Sequence, residues 1–209
     1  MVKKLKQFDT KQAKALKTAE SAYFYARRVI EGRWPKAEMV IAKNPEWAYK
    51  YAQSVIKGRW PKAEMVIAKN PEWAHHYARD VIKGRWSEAE KVIAQNPEFL
   101  AKDPEWACYQ AYFYARDVIE GRWPEAEKFI IKSPQWAYYY ARIIIKGRWP
   151  EAERVIAKSK FWAHKYATEV RLKIKYCPNC KGDLIPVPER LLFRCSTCRR
   201  EFTIEERPS

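Results

Sequence analysis

The chain has no run approaching the ~18 consecutive apolar residues that a membrane-spanning helix needs, so a helical span is not expected. Met1 to Phe8 is too charged to contain the apolar stretch of a secretory signal. A Gly-rich phosphate loop is missing. Of only six glycines, five precede an Arg-Trp pair. No Ser/His/Asp or Cys/His arrangement marks a nucleophile, and no spacing of the three histidines suggests an open metal site. These absences argue against a membrane protein, a small-molecule substrate and an enzyme, and they favour a cytoplasmic location.

What is abundant is tryptophan on a regular beat. An aromatic residue recurs every thirteen positions at Trp34, Trp47, Trp60, Trp73, Trp86 and Phe99, and again at Trp123, Trp136, Trp149 and Trp162. Two contexts alternate: Gly-Arg-Trp, as in Gly58 to Trp60, and Asn-Pro-Glu-Trp, as in Asn70 to Trp73. The true unit is therefore 26 residues. Self-similarity at a fixed period of this size marks stacked supersecondary units, each burying its apolar stripe against its neighbours.

Each unit reads as two short helices. In the first, the A helix, Asn44 is a suitable N-cap and Pro45 fits the first helical position, where its missing N–H costs nothing. Gly58 is the expected left-handed stop. Apolar residues at Trp47, Ala48, Tyr51, Ala52, Val55 and Ile56 form one helical stripe. The second, the B helix, runs from Trp60 to Lys69 with its apolar stripe at Trp60, Ala63, Val66 and Ile67. Helices this short are marginal alone, so packing must hold them, with Trp the main contributor. Trp73→Ala is accordingly expected to cost roughly 3–5 kcal/mol, as for a large core truncation.

Two irregularities interrupt the beat. Gly84 and Gly121 are 37 residues apart, so eleven extra residues enter near Phe99 to Asp103, and the helix beginning at Pro104 gains about one turn. At the start, a Lys-rich stretch in which Asp9 and Gln12 resemble a capping box precedes Ala22 to Arg27. At the other end Lys173 stands where Gly is expected, so the last helix is predicted to run to about Lys175.

The expected architecture is thus mostly α. Residues 1–20 form a basic N-terminal helical cap, residues 21–175 an α-solenoid of stacked helical hairpins, and residues 176–209 a small β zinc ribbon. That last segment carries Cys177, Cys180, Cys195 and Cys198 as two Cys-x-x-Cys pairs, the spacing with which two turns hold one structural Zn²⁺ through four thiolates. Leu184 to Val187, Leu191 to Arg194 and Glu201 to Ile204 are plausible strands between and after them. Cys108 reads as a small buried filler.

The formal charge of +16 divides into +4 over residues 1–20, +11 over 21–176 and +1 over 177–209. A basic array suits a polyanion, since neutralised phosphates release counterions. Two rows are candidate contacts. The first follows Trp-Ala in each A helix: Tyr49-Lys50, His75-His76, Tyr138-Tyr139 and His164-Lys165, with Tyr112-Phe113 and Tyr23-Phe24 in the irregular units. Aromatic and basic side chains interleaved in this way could stack bases and pair phosphates, or the rings could pack against the next B helix. The second row is Arg33, Arg59, Arg85, Arg122 and Arg148. These could track a phosphate backbone, or bond helix-end carbonyls and stack on the following Trp. Glu38, Glu64, Glu90, Glu127 and Glu153 read as a solvated face or as Arg and Lys partners.

Gly-Arg-Trp-Pro-Glu-Ala-Glu, followed by Val-Ile-Ala-Lys and Pro-Glu-Trp-Ala-x-x-Tyr-Ala, resembles the short tandem helical repeats of uncharacterised phage and bacterial proteins over roughly residues 21–170. The array is similar in architecture to tetratricopeptide or HEAT repeats, with a shorter period and without their motifs. The resemblance implies an α-solenoid and a phage or mobile-element origin. The ribbon resembles those of many transcription and nucleic-acid-handling proteins. A non-catalytic scaffold docking on nucleic acid or a nucleoprotein complex is expected; the alternative is a protein-interaction adaptor that binds a host complex.

Overall fold

Side-chain caps start the A helices where the sequence places them. In a computed structural model, which describes residues 10–95, 101–171, 179–180, 184–187 and 192–202, the Asn44 side chain accepts from the Trp47 N–H at 3.1 Å. Asn70 accepts from Glu72 and Trp73, and Asp103 from Trp106. Proline follows each of these caps at the first helical residue. The first described turn, residues 10–15, precedes a capping box between Thr18 and Ser21. Asp9 of the expected box lies outside the described residues.

The A helices are α1 (Ala19–Tyr25), α3 (Pro45–Tyr51), α5 (Pro71–Tyr77), α7 (Pro104–Tyr114), α9 (Pro134–Tyr139) and α11 (Lys160–Lys165). The B helices are α2 (Pro35–Ile41), α4 (Pro61–Ala68), α6 (Ser87–Gln95), α8 (Pro124–Ile130) and α10 (Pro150–Ile156). With eleven residues against seven in α5, α7 has the extra turn expected of it.

Every A helix continues past its last α residue into a wider π turn, as over Ala52–Ile56 and Ala78–Ile82. This was not foreseen. The Ala52 carbonyl accepts from the Lys57 N–H and from the Gly58 N–H at 3.2 Å. For both groups to reach one carbonyl the chain curls back at Lys57, which takes the left-handed conformation with φ 58°. Glu31, Lys83, Glu120 and Lys146 do the same. The stop is therefore the residue before glycine, and no described glycine has positive φ. Nothing lies within 4 Å of a Cβ built at Gly32, Gly58 or Gly84, so nothing in the structure explains glycine there.

The chain divides into two compact units, Met1–Phe99 and Leu100–Ser209, parted where the 26-residue beat is lengthened. In the first unit α1 packs on α3 and α3 on α5, with α4 against α6; in the second α7 packs on α9 and α9 on α11. Stacked hairpins of this kind bury a repeating set of small and large side chains. Ala48, Tyr51, Ala52, Trp60, Ala63 and Ile67 are buried in one repeat, and Ala74, Tyr77, Ala78, Trp86, Ala89 and Ile93 in the next. The alanines let the helices approach closely while the rings fill the space between them.

Strands β1 (Leu184–Val187), β2 (Leu192–Cys195) and β3 (Glu201–Phe202) form an antiparallel sheet in that order. Leu184 stands opposite Cys195, and Phe193 opposite Phe202. The expected run of the last helix to Lys175 lies outside the described residues. Among those that are described, no helix is long and apolar enough to cross a membrane.

Candidate binding face and metal centre

The arginine row is built into the corners between A and B helices. Arg33, Arg59, Arg85, Arg122 and Arg148 each form a two-pronged ion pair with the glutamate five residues on: Glu38, Glu64, Glu90, Glu127 and Glu153. In the Arg59 pair the two bonds are 2.9 and 2.8 Å. The planar guanidinium matches both carboxylate oxygens. These arginines are thus spoken for by carboxylates.

A tyrosine from the next A helix closes four of these corners. The Tyr77 hydroxyl accepts from the Trp60 backbone N–H at 2.6 Å and donates to Glu64 at 2.9 Å. Tyr51 with Trp34 and Glu38, Tyr140 with Trp123 and Glu127, and Tyr166 with Trp149 and Glu153 repeat the pattern. Trp60 caps its helix without a side-chain bond, so the tyrosine satisfies an N–H that would otherwise be stranded inside. The Arg59 bonds hold the Glu64 carboxyl below its usual range. Burial pushes the Tyr77 and Tyr140 phenols above theirs.

The column after Trp-Ala splits in two. Tyr49, His75, Tyr112 and Tyr138 are buried, and the three tyrosines face a tryptophan of the next A helix. The Tyr49 ring lies 5.8 Å from Trp73, Tyr112 5.4 Å from Trp136 and Tyr138 5.3 Å from Trp162. Tyr49 donates to Asp80 at 2.6 Å and Tyr138 to Glu169 at 2.7 Å, each 31 residues on. Burial, with that Glu169 bond, pushes the Tyr138 phenol up to about 12. His75 stacks on His76 with centroids 5.4 Å apart. His164, which has no further hairpin over it in the described array, is exposed.

Lys50, His76, Phe113, Tyr139 and Lys165 are half-exposed and form the outer half of the column. Here they meet a second series of rings. Trp47, Trp73, Trp136 and Trp162, at the A-helix starts, are half-buried, unlike Trp34, Trp60, Trp86, Trp123 and Trp149, which are inside. The expectation that Trp73 is a core residue is corrected accordingly: it is only half-buried, with Tyr49, His76 and the Lys50 ammonium beside its ring. Cations sit on these rings. The Lys50 ammonium is 4.3 Å from the Trp47 centroid while paired with Glu46, and the Arg116 guanidinium is 4.2 Å from Phe113. Trp106, Tyr109 and Phe161 on this face were not singled out from the sequence; the signal available was that each departs from the repeat at its position.

In the ribbon, the sulfurs of Cys180, Cys195 and Cys198 lie within 4.8 Å of one another, and this is the only such cluster among the described residues. Cys180 Sγ and Cys195 Sγ are 3.3 Å apart. Thiolates around a tetrahedral zinc with Zn–S of ≈ 2.3 Å stand about 3.8 Å apart, so the cluster is of the right size for a metal. The turn after β2 aims the Thr197 and Cys198 N–H groups at Cys195 Sγ, both at 3.4 Å. Donation by Cys198, with Thr197 adding, lowers the Cys195 thiol to about 6, which favours the thiolate that binds metal. Cys177 lies outside the described residues. By contrast Cys108 is buried, donates to the Phe129 carbonyl at 3.3 Å, and burial pushes it up to about 12, so it stays a protonated filler. Family models, curated proteins and solved structures give no match to the chain.

Proposed function

We propose that the chain is a non-catalytic helical-repeat scaffold that docks on nucleic acid, or on a nucleoprotein complex, through the outer face of its A helices. The supporting observation is the set of half-exposed rings on that face; Lys50 over Trp47 and Arg116 over Phe113 already hold carboxylate partners in Glu46 and Asp117, so the charge for phosphates comes from other side chains. Rings that stack bases beside cations that meet phosphates are the means by which sequence-tolerant nucleic-acid binders work. Lys43, Lys69, Lys132 and Lys158, each exposed in the turn before an A helix, add charge along the same edge. None is in an ion pair among the described residues, whereas the arginine row is already paired. The binding edge is therefore drawn through these lysines and not through the arginines.

In the ribbon, Cys177, Cys180, Cys195 and Cys198 would hold one zinc ion. Four thiolates leave no open position, so its contribution is to fix the two cysteine turns and the small sheet. Purification without added nucleic acid, then metal analysis and a salt-titrated binding assay, tests the whole reading. One zinc per chain and an affinity that falls linearly on a log scale with salt are expected. Affinity indifferent to salt, or no binding at low salt, overturns the docking, and protein free of zinc overturns the metal. A protein-interaction adaptor is the second reading, favoured by Met39 and Met65, which stand exposed on α2 and α4. Capture of a partner that survives nuclease treatment would select it.

A further inference from the structure

The extra turn of α7 changes what its outer face presents. Counting back from the tyrosine that ends each helix, Gln110 occupies the place that Trp73 holds in α5, and it is buried. The tryptophan stands one turn earlier, at Trp106, where it is 38% exposed. Residues three and four apart share a helix side, so Trp106, Tyr109 and Phe113 line up. Trp106 stacks on Tyr109 with centroids 4.9 Å apart and planes 6° from parallel.

From Tyr109 the rings continue across the second unit without a break. Trp136 lies at 5.3 Å, Tyr139 a further 5.8 Å on, Trp162 at 5.5 Å from Tyr139, and Phe161 at 4.7 Å from Trp162. Phe161 is 59% exposed, so the row is packed at its middle and open at both ends. Among its described residues the first unit has no such row. Between Trp47 and Trp73 the bridging group is the Lys50 ammonium, 4.3 and 5.8 Å from the two centroids, and beyond Trp73 stands His76.

We infer that this row of the second unit is a stacking platform for unpaired bases, so that the ligand is single-stranded nucleic acid rather than duplex. The inference rests on the nucleic-acid docking proposed above and narrows it. The ring planes turn along the row, with Trp136 edge-on to Tyr109 and Phe161 edge-on to Trp162, so a strand would use the exposed rings at the two ends. Every base has a π face to lay on Trp106 or Phe161, whereas a duplex keeps its base faces covered inside its own stack. Phosphates of a strand lying on the row would meet Lys165, 5.3 Å from the Phe161 centroid, and the exposed Lys132 and Lys158 in the turns leading to α9 and α11. An acidic peptide would satisfy those lysines and leave the continuous rings unexplained.

The test is a titration of the full chain with a fluorescent oligothymidylate and with a duplex of equal length, at low and at physiological salt. Trp106→Ala and Phe161→Ala, singly and together, are compared with Val29→Ala, an exposed change in the other unit, after circular dichroism has shown that all remain folded. Single-strand binding at least about tenfold tighter than duplex, lost by about tenfold or more in the double variant and kept by Val29→Ala, is the expected result. Duplex bound as tightly as single strand, or a double variant that binds like the parent, overturns the stacking platform while docking on nucleic acid stands. No binding of either probe at low salt overturns both. Should Trp106→Ala unfold the chain, Phe161→Ala alone carries the same comparison at the other end of the row.

Discussion

Two series of tryptophans share one beat and end in different surroundings. Those after Gly-Arg sit at the corners, where Trp60 is 3% exposed with its backbone N–H held by Tyr77 and its ring 5.1 Å from Tyr51. Those at the A-helix starts, such as Trp73, lie on the outer face beside Tyr49 and His76 and are half-buried. The difference teaches that a repeat period places residues in rows but does not say which rows are inside. At the corner two hairpins enclose the ring; at the helix start the neighbouring side chains leave part of it exposed.

The comparison can be broken most sharply by truncating one ring of each series. Trp60→Ala should lower stability by roughly 3–5 kcal/mol, the cost of a large cavity. Trp73→Ala should cost less, about 1–2 kcal/mol, since part of its surface is already wet. Denaturant unfolding of the two variants reads the difference directly. Equal losses would mean that the two rows are equally enclosed, and the outer face would lose its claim to be a binding surface.

A smaller effect separates the two rows through their hydroxyls. Tyr77→Phe removes the acceptor of the buried Trp60 N–H and one donor to Glu64. Leaving such groups unpaired should cost about 1–3 kcal/mol. Tyr139, half-exposed on the outer face, has no hydrogen bond from its hydroxyl among the described residues, and Tyr139→Phe should stay within about 0.5 kcal/mol of the parent. A thermal shift of the same size in both variants would show that the corner bonds add nothing beyond packing.

Much of this was legible in the chain. The caps at Asn44, Asn70 and Asp103, the added turn of α7 and the strand Leu184–Val187 follow from local rules that tertiary packing did not override. The cysteine spacing located the cluster at Cys180, Cys195 and Cys198. What could not be read was anything that depends on which neighbour arrives. That the glutamates partner basic residues was one of the two readings open from the sequence, but that Glu64 takes Arg59 was not. A separation of five is one that no single helix brings together, and only the corner between helices closes the pair. Tyr77 belongs to a helix 17 residues beyond the N–H it satisfies. Likewise the burial of Tyr49 and His75 and the openness of Trp73 depend on how far one A helix is offset along the next, which the period leaves undetermined.

The smallest predicted effect concerns the glycines that punctuate the repeat. A left-handed stop at Gly58 is what composition suggests, yet the positive φ falls on Lys57, whose side chain makes that conformation costlier by about 1 kcal/mol than glycine would. Lys57→Gly relieves this strain but gives the unfolded chain more freedom, so the net gain should be about 0.5 kcal/mol. Gly58→Ala should be close to neutral, because the φ there is not positive and a Cβ meets nothing within 4 Å. If Gly58→Ala instead costs more than about 1 kcal/mol and Lys57→Gly gives no gain, the turn closes one residue later than described. The wider π turn would then shrink to an ordinary helical end, and with it would go the route by which each corner places its Trp inside and leaves the next one on the outer face.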